Sequence, residues 1–170
     1  NIYSNEKYNR LNIDKAIYYY TLAAEKNIIQ AHKSLGDLYL KGKLIKQDIN
    51  KAIHHYSIIA NQKYAYAQYM LGVIYNEEKY GIHNINNAIY YFSLAADQND
   101  VGAQFNLGAI YFRKDLHKSI HYFTLAANQN HADAQYNLGI IYFKEEYNHK
   151  DINKSIHYFT LAANQNHADA

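Results

Sequence analysis

The segment Lys118–Ala134 reads KSIHYFTLAANQNHADA, and Lys154–Ala170 repeats it letter for letter. Looser copies begin at Lys15 (KAIYYYTLAAEKNIIQA), Lys51 (KAIHHYSIIANQKYAYA) and Asn87 (NAIYYFSLAADQNDVGA). The starts of the five copies are 36, 36, 31 and 36 residues apart. Self-similarity at a nearly fixed period of this length indicates a protein built from stacked structural repeats.

A second block recurs in step with the first. Its copies are SLGDLY at 34–39, MLGVIY at 70–75, NLGAIY at 106–111 and NLGIIY at 137–142. Both blocks have the period of an amphipathic helix, about 3.6 residues per turn, and neither alternates as a strand does. We call the helix of the first block KA-type, after Lys15-Ala16, and the helix of the second block LG-type, after Leu35-Gly36.

Asx residues mark the expected start of each KA-type helix. They stand three residues before each copy, at Asn12, Asp48, Asn84, Asp115 and Asp151. Such a side chain accepts a hydrogen bond from an unpaired backbone N–H and contributes about 1 kcal/mol. The helices are expected to end in a left-handed residue near Asn27, Lys63, Asn99, Asn130 and Asn166. The repeating unit is therefore predicted to be a helix hairpin.

One glycine recurs in the middle of each LG-type helix, at Gly36, Gly72, Gly108 and Gly139. A mid-helix glycine costs about 0.5–1 kcal/mol relative to alanine. Four such costs at one phase predict that a neighbouring helix approaches there too closely for a Cβ atom. Because a two-helix hairpin cannot bury both of its apolar faces alone, each unit is expected to stack on its neighbours in an all-α solenoid.

Composition argues against several classes of protein. The 170 residues carry 17 Lys and Arg against 15 Asp and Glu, so charge gives no reason to expect a nucleic acid or an anionic membrane as the main partner. The absence of cysteine excludes a disulfide framework and a thiolate metal site. The longest apolar run, Leu138–Phe143, is far shorter than the ~20 residues of a membrane span, which predicts a soluble chain. Because the chain does not begin with methionine, we expect it to be part of a longer protein.

The two blocks together read A-x-x-x-L-G-x-x-Y and then, after a turn, D-x-x-K-A-x-x-Y-Y-x-x-A-A. The clearest residues of the pattern are Ala67, Leu71, Gly72 and Tyr75 in one block, and Asp48, Lys51, Ala52, Tyr56 and Ala60 in the other. The pattern resembles the Sel-one-like repeat, a relative of the tetratricopeptide repeat, over essentially the whole chain. The resemblance implies a right-handed α-solenoid of antiparallel helix-turn-helix repeats. In that register 1–27 is a partial repeat, 28–63, 64–99 and 131–166 are full repeats, 100–130 is a shortened repeat, and 167–170 begins a truncated one.

Two departures from the family pattern carry consequences. Repeat 100–130 lacks five residues between Tyr111 and Asp115, which predicts a shorter LG-type helix and a local change in superhelical twist. One branch of the family is cysteine-rich, secreted and disulfide-bonded, and has been linked to penicillin binding. A chain without cysteine does not belong to that branch.

The sequence offers no catalytic, cofactor or metal site. His117 and His121 are spaced to share one helix face, as zinc ligands can, but no third ligand has helical spacing to them. His54, His121 and His157 share one repeat position where two other repeats carry tyrosine, which indicates half-exposed side chains and not ligands. No phosphate-binding loop or nucleophile motif is present. We therefore predict a non-enzymatic protein, with no residue assigned to catalysis, to a cofactor or to a metal.

The family resemblance implies that the LG-type helices line the concave side of the solenoid. The residues then expected to contact a partner are Lys33, Asp37, Lys41, Tyr66, Tyr69, Val73, Asn76, Phe105, Ala109, Phe112, Arg113, Tyr136, Ile140, Phe143 and Lys144. Among them, Tyr69, Phe105 and Tyr136 recur at one phase. Their rings could anchor a peptide or a helix, or they could pack against the adjacent helix and expose only an edge. The sequence leaves both interpretations open.

The leading hypothesis is a protein–protein interaction scaffold or adaptor that binds a peptide or a partner helix along the concave face. Single-stranded RNA binding is an alternative because other helical repeats read bases, but the basic residues expected on this face are opposed by Asp37, Glu77 and Asp133. A further alternative is an architectural solenoid that self-associates through its ends. Family members act as adaptors in endoplasmic-reticulum quality control and in bacterial signalling or host contact. The resemblance permits either role, so no compartment is predicted.

Overall fold

Helices make up most of the chain that the structure describes. The computed structural model describes the backbone of residues 2–165 and the side chains of residues 12–165. Within that part it contains nine α-helices and no β-strand. The helices are α1 (Ile2–Glu25), α2 (Ile29–Lys41), α3 (Ile49–Ala60), α4 (Ala65–Asn76), α5 (Ile85–Ala96), α6 (Val101–Tyr111), α7 (Leu116–Asn128), α8 (Ala132–Phe143) and α9 (Ile152–Ala163). The even-numbered helices are LG-type, and α3, α5, α7 and α9 are KA-type.

Side-chain caps set the starts of the KA-type helices. Asp48, Asp115 and Asp151 each accept a hydrogen bond from the backbone N–H three residues further on, at 3.0 Å. Asn84 accepts one from the N–H of Asn87 at 3.1 Å. The predicted left-handed helix ends are confirmed at Asn27, Lys63, Asn99 and Asn130, where φ lies between 57° and 63°. Asn166 lies outside the described residues, as does the expected truncated repeat 167–170.

The predicted helix start at Asn12 is wrong. α1 runs through Asn12 without interruption, so the partial repeat does not contain a second, separately capped helix. The sequence from Ser4 to Ile13 has no glycine or proline, and its Glu, Lys, Arg and Leu are good helix formers. Each residue added to an existing helix gains a hydrogen bond, whereas a new helix needs a new nucleus. Continuing the helix therefore costs less than stopping and capping it.

The shortened repeat loses residues mainly from its connection. Its LG-type helix α6 has 11 residues, against 12 in α4 and in α8. The helix is therefore shorter than these two, as predicted, but only by one residue. The other connections contain a 3₁₀ turn, at Glu78–Tyr80 after α4 and at Glu145–Tyr147 after α8. The chain after α6 instead turns directly into the N-cap Asp115.

The chain divides into two compact units, Asn1–Ala88 and Ile89–Ala170. Large side chains that are at most 1% exposed form the core of each unit. In the first unit they are Leu35, Tyr56, Ile59, Leu71 and Ile74, and in the second Phe92, Leu107, Phe123, Leu138 and Ile141. Each core thus combines a ring from a KA-type helix with the leucine that precedes the glycine of an LG-type helix.

Three of the mid-helix glycines, Gly36, Gly108 and Gly139, lie directly against aromatic rings. A Cβ atom added to Gly36 would lie 2.8 Å from Cε1 of Tyr56, and one added to Gly108 would lie 2.5 Å from Cδ1 of Phe123. At Gly139 the nearest ring atom is Cδ1 of Phe159, at 2.7 Å. The close approach expected at these glycines is therefore made by the ring of the following KA-type helix and not by its backbone.

Candidate functional site

Asp37 on α2 is the centre of a polar network in the first unit. Its Oδ1 atom accepts hydrogen bonds from the hydroxyl groups of Tyr56 at 2.6 Å and Tyr66 at 2.7 Å. Its Oδ2 atom accepts one from Nζ of Lys33 at 3.2 Å, and the same Nζ lies 4.3 Å from the centroid of the Tyr66 ring. The fold therefore brings together three of the residues expected to contact a partner, Lys33 and Asp37 from α2 and Tyr66 from α4.

The network fixes the protonation of its members. Burial acts to raise the pKa of Asp37, but hydrogen bonds from Tyr56, Tyr66 and Lys33 outweigh it and hold that pKa below its usual value. Burial, followed by the bonds to Asp37, raises the pKa of both tyrosines well above the usual value. At neutral pH Asp37 is therefore ionised and both hydroxyls are protonated donors. Both carboxylate oxygens of Asp37 therefore accept hydrogen bonds from within the protein.

Two adjoining clefts lie beside this network. The first, of about 330 Å³, is lined by Asp37, Leu38, Lys41, Lys43 and Leu44. The second, of about 310 Å³, shares Asp37, Leu38 and Leu44 with the first and adds residues of α1. Leu44 is 63% exposed, so an exposed apolar side chain lines both clefts, and Lys41 and Lys43 line the first. The sequence analysis missed Lys43 and Leu44 because it considered only residues within the helices, and these two follow α2. The signal that could have found them is an apolar residue in a lysine-rich connection.

A third cleft lies on the other side of Lys41. It has a volume of about 520 Å³ and is lined by Leu40, Lys41, Gln47, Met70, Lys79 and Tyr80. Its walls thus come from α2, from α4 and from the connections that follow these helices. Of the predicted contact residues on α4, Tyr69, Val73 and Asn76 are half-buried and do not line this cleft. Among the predicted contact residues, Asp37 lines the first and second clefts and Lys41 lines the first and third.

In the second unit, the recurring aromatic residues pack against other rings. Phe105 stacks on His131 with 4.5 Å between ring centroids and lies 5.7 Å from Phe123. Tyr136 lies 5.6 Å from Phe159. Both Phe105 and Tyr136 are half-buried, which favours the interpretation that these rings pack on a neighbour and expose an edge.

The exposed part of this surface in the second unit lies at the C-terminal ends of α6 and α8. Phe143 is 59% exposed, and Ala109, Arg113 and Lys144 are also exposed. Phe112 is half-buried against Tyr147, with 5.5 Å between the ring centroids, and Ile140 is half-buried. A partner on this unit would therefore meet Phe143 with a basic residue at its side.

Comparison with known proteins identifies the repeats. The family model described as Sel1 repeat matches residues 8–28, 29–64, 65–100, 101–131 and 132–167. The chain belongs to the Sel1 repeat family. The expected membership is thus confirmed, and the four later matches begin one residue after the boundaries expected from the sequence.

Solved structures similar to this Sel1 repeat chain share its fold. A protective antigen of uropathogenic Escherichia coli that displays an SLR fold is 25% identical, with a TM-score of 0.79 over 90% of this chain and 34% of that protein. A Sel1 repeat protein from Oxalobacter formigenes is 26% identical, with a TM-score of 0.76 over 89% and 64%. An immunity protein from Pseudomonas aeruginosa, 23% identical, shares the fold with a TM-score of 0.57 over 89% and 58%.

These likenesses confirm the predicted fold class, an all-α solenoid of helix-turn-helix repeats. The chain spans less than two thirds of the length of each of the three proteins. A search of curated proteins found no match.

Sel1 repeat proteins generally act as protein–protein interaction scaffolds and are typically non-enzymatic. Among the described residues, no group of three or more His, Cys, Asp or Glu side chains is arranged to hold a metal ion. His54, His121 and His157 are exposed, and His117 meets His149 edge to face with 5.1 Å between ring centroids. In the same part of the chain, no helix is both long enough and apolar enough to cross a membrane.

Proposed function

We propose that this Sel1 repeat chain is a non-enzymatic scaffold that binds a peptide or a partner helix along the face formed by its LG-type helices. The observation that carries the proposal is the pair of adjoining clefts in the first unit, both lined by the exposed Leu44, one of which is also lined by Lys41 and Lys43. Concave surfaces that combine apolar walls with a few charged groups are common binding sites, and an apolar groove is where an amphipathic helix docks.

The chemistry of the clefts favours an apolar segment with acidic flanks. Leu38 and Leu44 supply the apolar wall, and Lys41 and Lys43 are the charged residues at the rim. Asp37 is the acidic residue of the lining, but Tyr56, Tyr66 and Lys33 hold its oxygens. A partner with an apolar anchor next to a carboxylate would therefore bury its apolar group and meet rim charges of opposite sign.

The experiment is a peptide-display selection on the purified chain, followed by affinity measurement on the selected peptides. We expect Leu44→Asp and Lys41→Glu each to weaken binding at least tenfold. Tyr18→Ala is the matched control, because Tyr18 lies in the same unit, is 60% exposed and lines neither cleft. Peptides that bind the Leu44 and Lys41 variants as well as the wild-type chain would show that the clefts are not the binding surface.

The charges of the faces do not favour the RNA alternative. Lys33 is paired with Asp37 and Lys144 with Glu146, each at 3.2 Å. Lysines engaged in this way give up part of their attraction for phosphate, and an RNA surface needs a continuous basic track.

Self-association is a second candidate because α9 exposes apolar residues. Ile152 is 44% and Ile156 is 60% exposed, whereas the equivalent Leu116 and Ile120 of α7 pack against the core of the second unit. A face that matches a buried internal interface can accept another helix. Light scattering over a concentration series tests this candidate, and a constant monomer mass would eliminate it.

A further inference from the structure

Two departures from the repeat pattern meet in the first unit. His32 stands where the later LG-type helices carry Gln68, Gln104 and Gln135, and His55 stands where the other KA-type copies carry Tyr19, Tyr91, Tyr122 and Tyr158. The fold places Nδ1 of His32 3.1 Å from Nδ1 of His55. No other repeat has histidine at either position, so the contact exists once in the array.

His55 keeps the packing of the tyrosine that it replaces. Its ring stacks on Tyr39 with 6.0 Å between centroids and 5° between planes. Tyr122 stacks on Tyr111 in the same way, at 5.9 Å and 9°. Because the ring position is retained, replacing tyrosine by histidine exchanges a hydroxyl for a ring nitrogen directed at His32. The exchange therefore changes the polar atom that faces His32 and keeps the ring stacked on Tyr39.

His32 is held so that its Nδ1 lone pair is available. The glutamines at this position donate their side-chain amide to a carbonyl at the end of the preceding KA-type helix, as Gln135 does to Ala127 at 3.2 Å. His32 is 4% exposed, and its Nε2 atom has no partner with hydrogen-bond geometry. The carbonyl of Ala24, the equivalent acceptor, nevertheless lies close enough to act on the ring. A hydrogen on Nε2 facing Ala24 leaves Nδ1 as the acceptor or ligand atom.

We propose that Nδ1 of His32 and Nδ1 of His55 bind one divalent transition-metal ion of the class that prefers imidazole, such as Cu²⁺, Ni²⁺ or Zn²⁺. Imidazole nitrogens lie about 2.0–2.1 Å from such an ion, so two that are about 90–110° apart at the metal are separated by about 2.8–3.4 Å. The observed 3.1 Å falls in this range. The ion takes the place of the hydrogen that His55 holds on Nδ1, and that ring takes up a proton from water on Nε2 instead, so both rings stay neutral and no net proton is released.

The surroundings set the strength of this site. Lys51 and His54 on α3 face His55, and Asp48 pairs with Lys51 at 3.8 Å. Burial, with His32, His54 and Lys51, lowers the pKa of His55 to about 4, and burial first of all lowers that of His32. Both rings are therefore neutral at pH 7 and need no deprotonation before binding. Two protein ligands beside a lysine make a site of modest affinity, strongest for Cu²⁺, with water in the remaining positions.

The test is calorimetric titration of the full 170-residue chain with Cu²⁺, Ni²⁺ and Zn²⁺, together with electron paramagnetic resonance of the Cu²⁺ form. His32→Gln and His55→Tyr install the residues that the other repeats carry. His121→Tyr and His117→Asn are matched controls, because other repeats carry tyrosine and asparagine at those positions and both residues lie in the second unit. Circular dichroism checks that each variant is folded.

We expect the tightest of the bound ions to be lost, or weakened at least tenfold, in both the His32 and the His55 variants and to be retained in both controls. The wild-type resonance spectrum should show coupling to two imidazole nitrogens. Unchanged affinity and stoichiometry in the His55→Tyr variant, or loss of the tightest ion only in the control variants, would overturn the proposal and assign binding to the surface histidines. The test is independent of peptide binding at the clefts.

Discussion

Replacing Gly108 by alanine tests the packing of the repeats at its tightest point. A Cβ atom at this position would lie 2.5 Å from Cδ1, 2.7 Å from Cε1 and 2.9 Å from Cγ of Phe123. Carbon atoms in ordinary contact are about 3.5–4.0 Å apart, so the ring has to move by about 1 Å. Phe123 is only 1% exposed and packs within the core of the second unit. The displacement is therefore passed on to buried neighbours.

Two terms of opposite sign set the size of the effect. Inserting a methyl group into a well-packed core costs about 1–3 kcal/mol, and an overlap of about 1 Å against a buried ring belongs to the upper half of that range. Replacing a mid-helix glycine by alanine stabilises the helix by about 1 kcal/mol, because alanine has the higher helix propensity. We therefore expect Gly108→Ala to lower the free energy of unfolding by about 1–2 kcal/mol.

The assay is urea unfolding followed by far-ultraviolet circular dichroism. Ala109→Gly is the control, because Ala109 is the next residue of α6 and is exposed; it measures the propensity term alone, about 1 kcal/mol. In a Phe123→Leu background the cost of Gly108→Ala should shrink, since the smaller side chain leaves room for the methyl group. A Gly108→Ala chain as stable as the wild type, or more stable, would refute the argument.

Two further predictions concern charged groups. Asp115→Ala removes the bond to the N–H of Lys118 and should lower the free energy of unfolding by about 1 kcal/mol. Asp115→Asn can still cap the helix and should lower it by less. Equal urea midpoints for Asp115→Ala and the wild type would contradict this prediction. Because the folded-state pKa of Asp37 is depressed by its bonds to Tyr56, Tyr66 and Lys33, the stability it provides is fully present above its unfolded pKa of about 3.9 and is lost as the pH falls through the lower folded value. The free energy of unfolding of Asp37→Asn should therefore depend less on pH between about 2 and 5, and superimposable profiles would disprove this assignment.

Local structure could be predicted from the sequence where the signal spans a few residues. Asp48 and the N–H that it caps are three positions apart, so the bond follows from spacing alone. Asn27 and Lys63 adopt the left-handed conformation at the point where the helical pattern stops. The same reasoning fails at Asn12, because a residue that can cap a helix also continues one when nothing turns the chain. The capping signal therefore needs a second signal that ends the preceding helix.

The candidate site was less predictable because its contacts join distant parts of the chain. The family resemblance assigned Lys33, Asp37 and Tyr66 to one face, but not the hydrogen bonds between them, which depend on the separation of α2 and α4. Phe105 recurs at one phase with Tyr69 and Tyr136, yet phase cannot tell whether a ring faces solvent or stacks on a neighbour, as Phe105 does on His131. Leu44 was missed altogether, since a residue outside the helical pattern carries no phase.

The first unit contains the most informative departures from an otherwise uniform array. At the positions of Lys33, Asp37, His32 and His55, the later repeats carry aromatic, apolar, glutamine and tyrosine residues respectively. Leaving a buried polar group unpaired costs about 1–3 kcal/mol, a cost that the bond from Tyr66 to Asp37 and the contact of His32 with His55 reduce. The later repeats solve the same packing problem without a buried charge or a pair of imidazoles. Departures from an otherwise uniform pattern are expected where residues serve a purpose besides packing, which supports placing the proposed peptide site in the first unit.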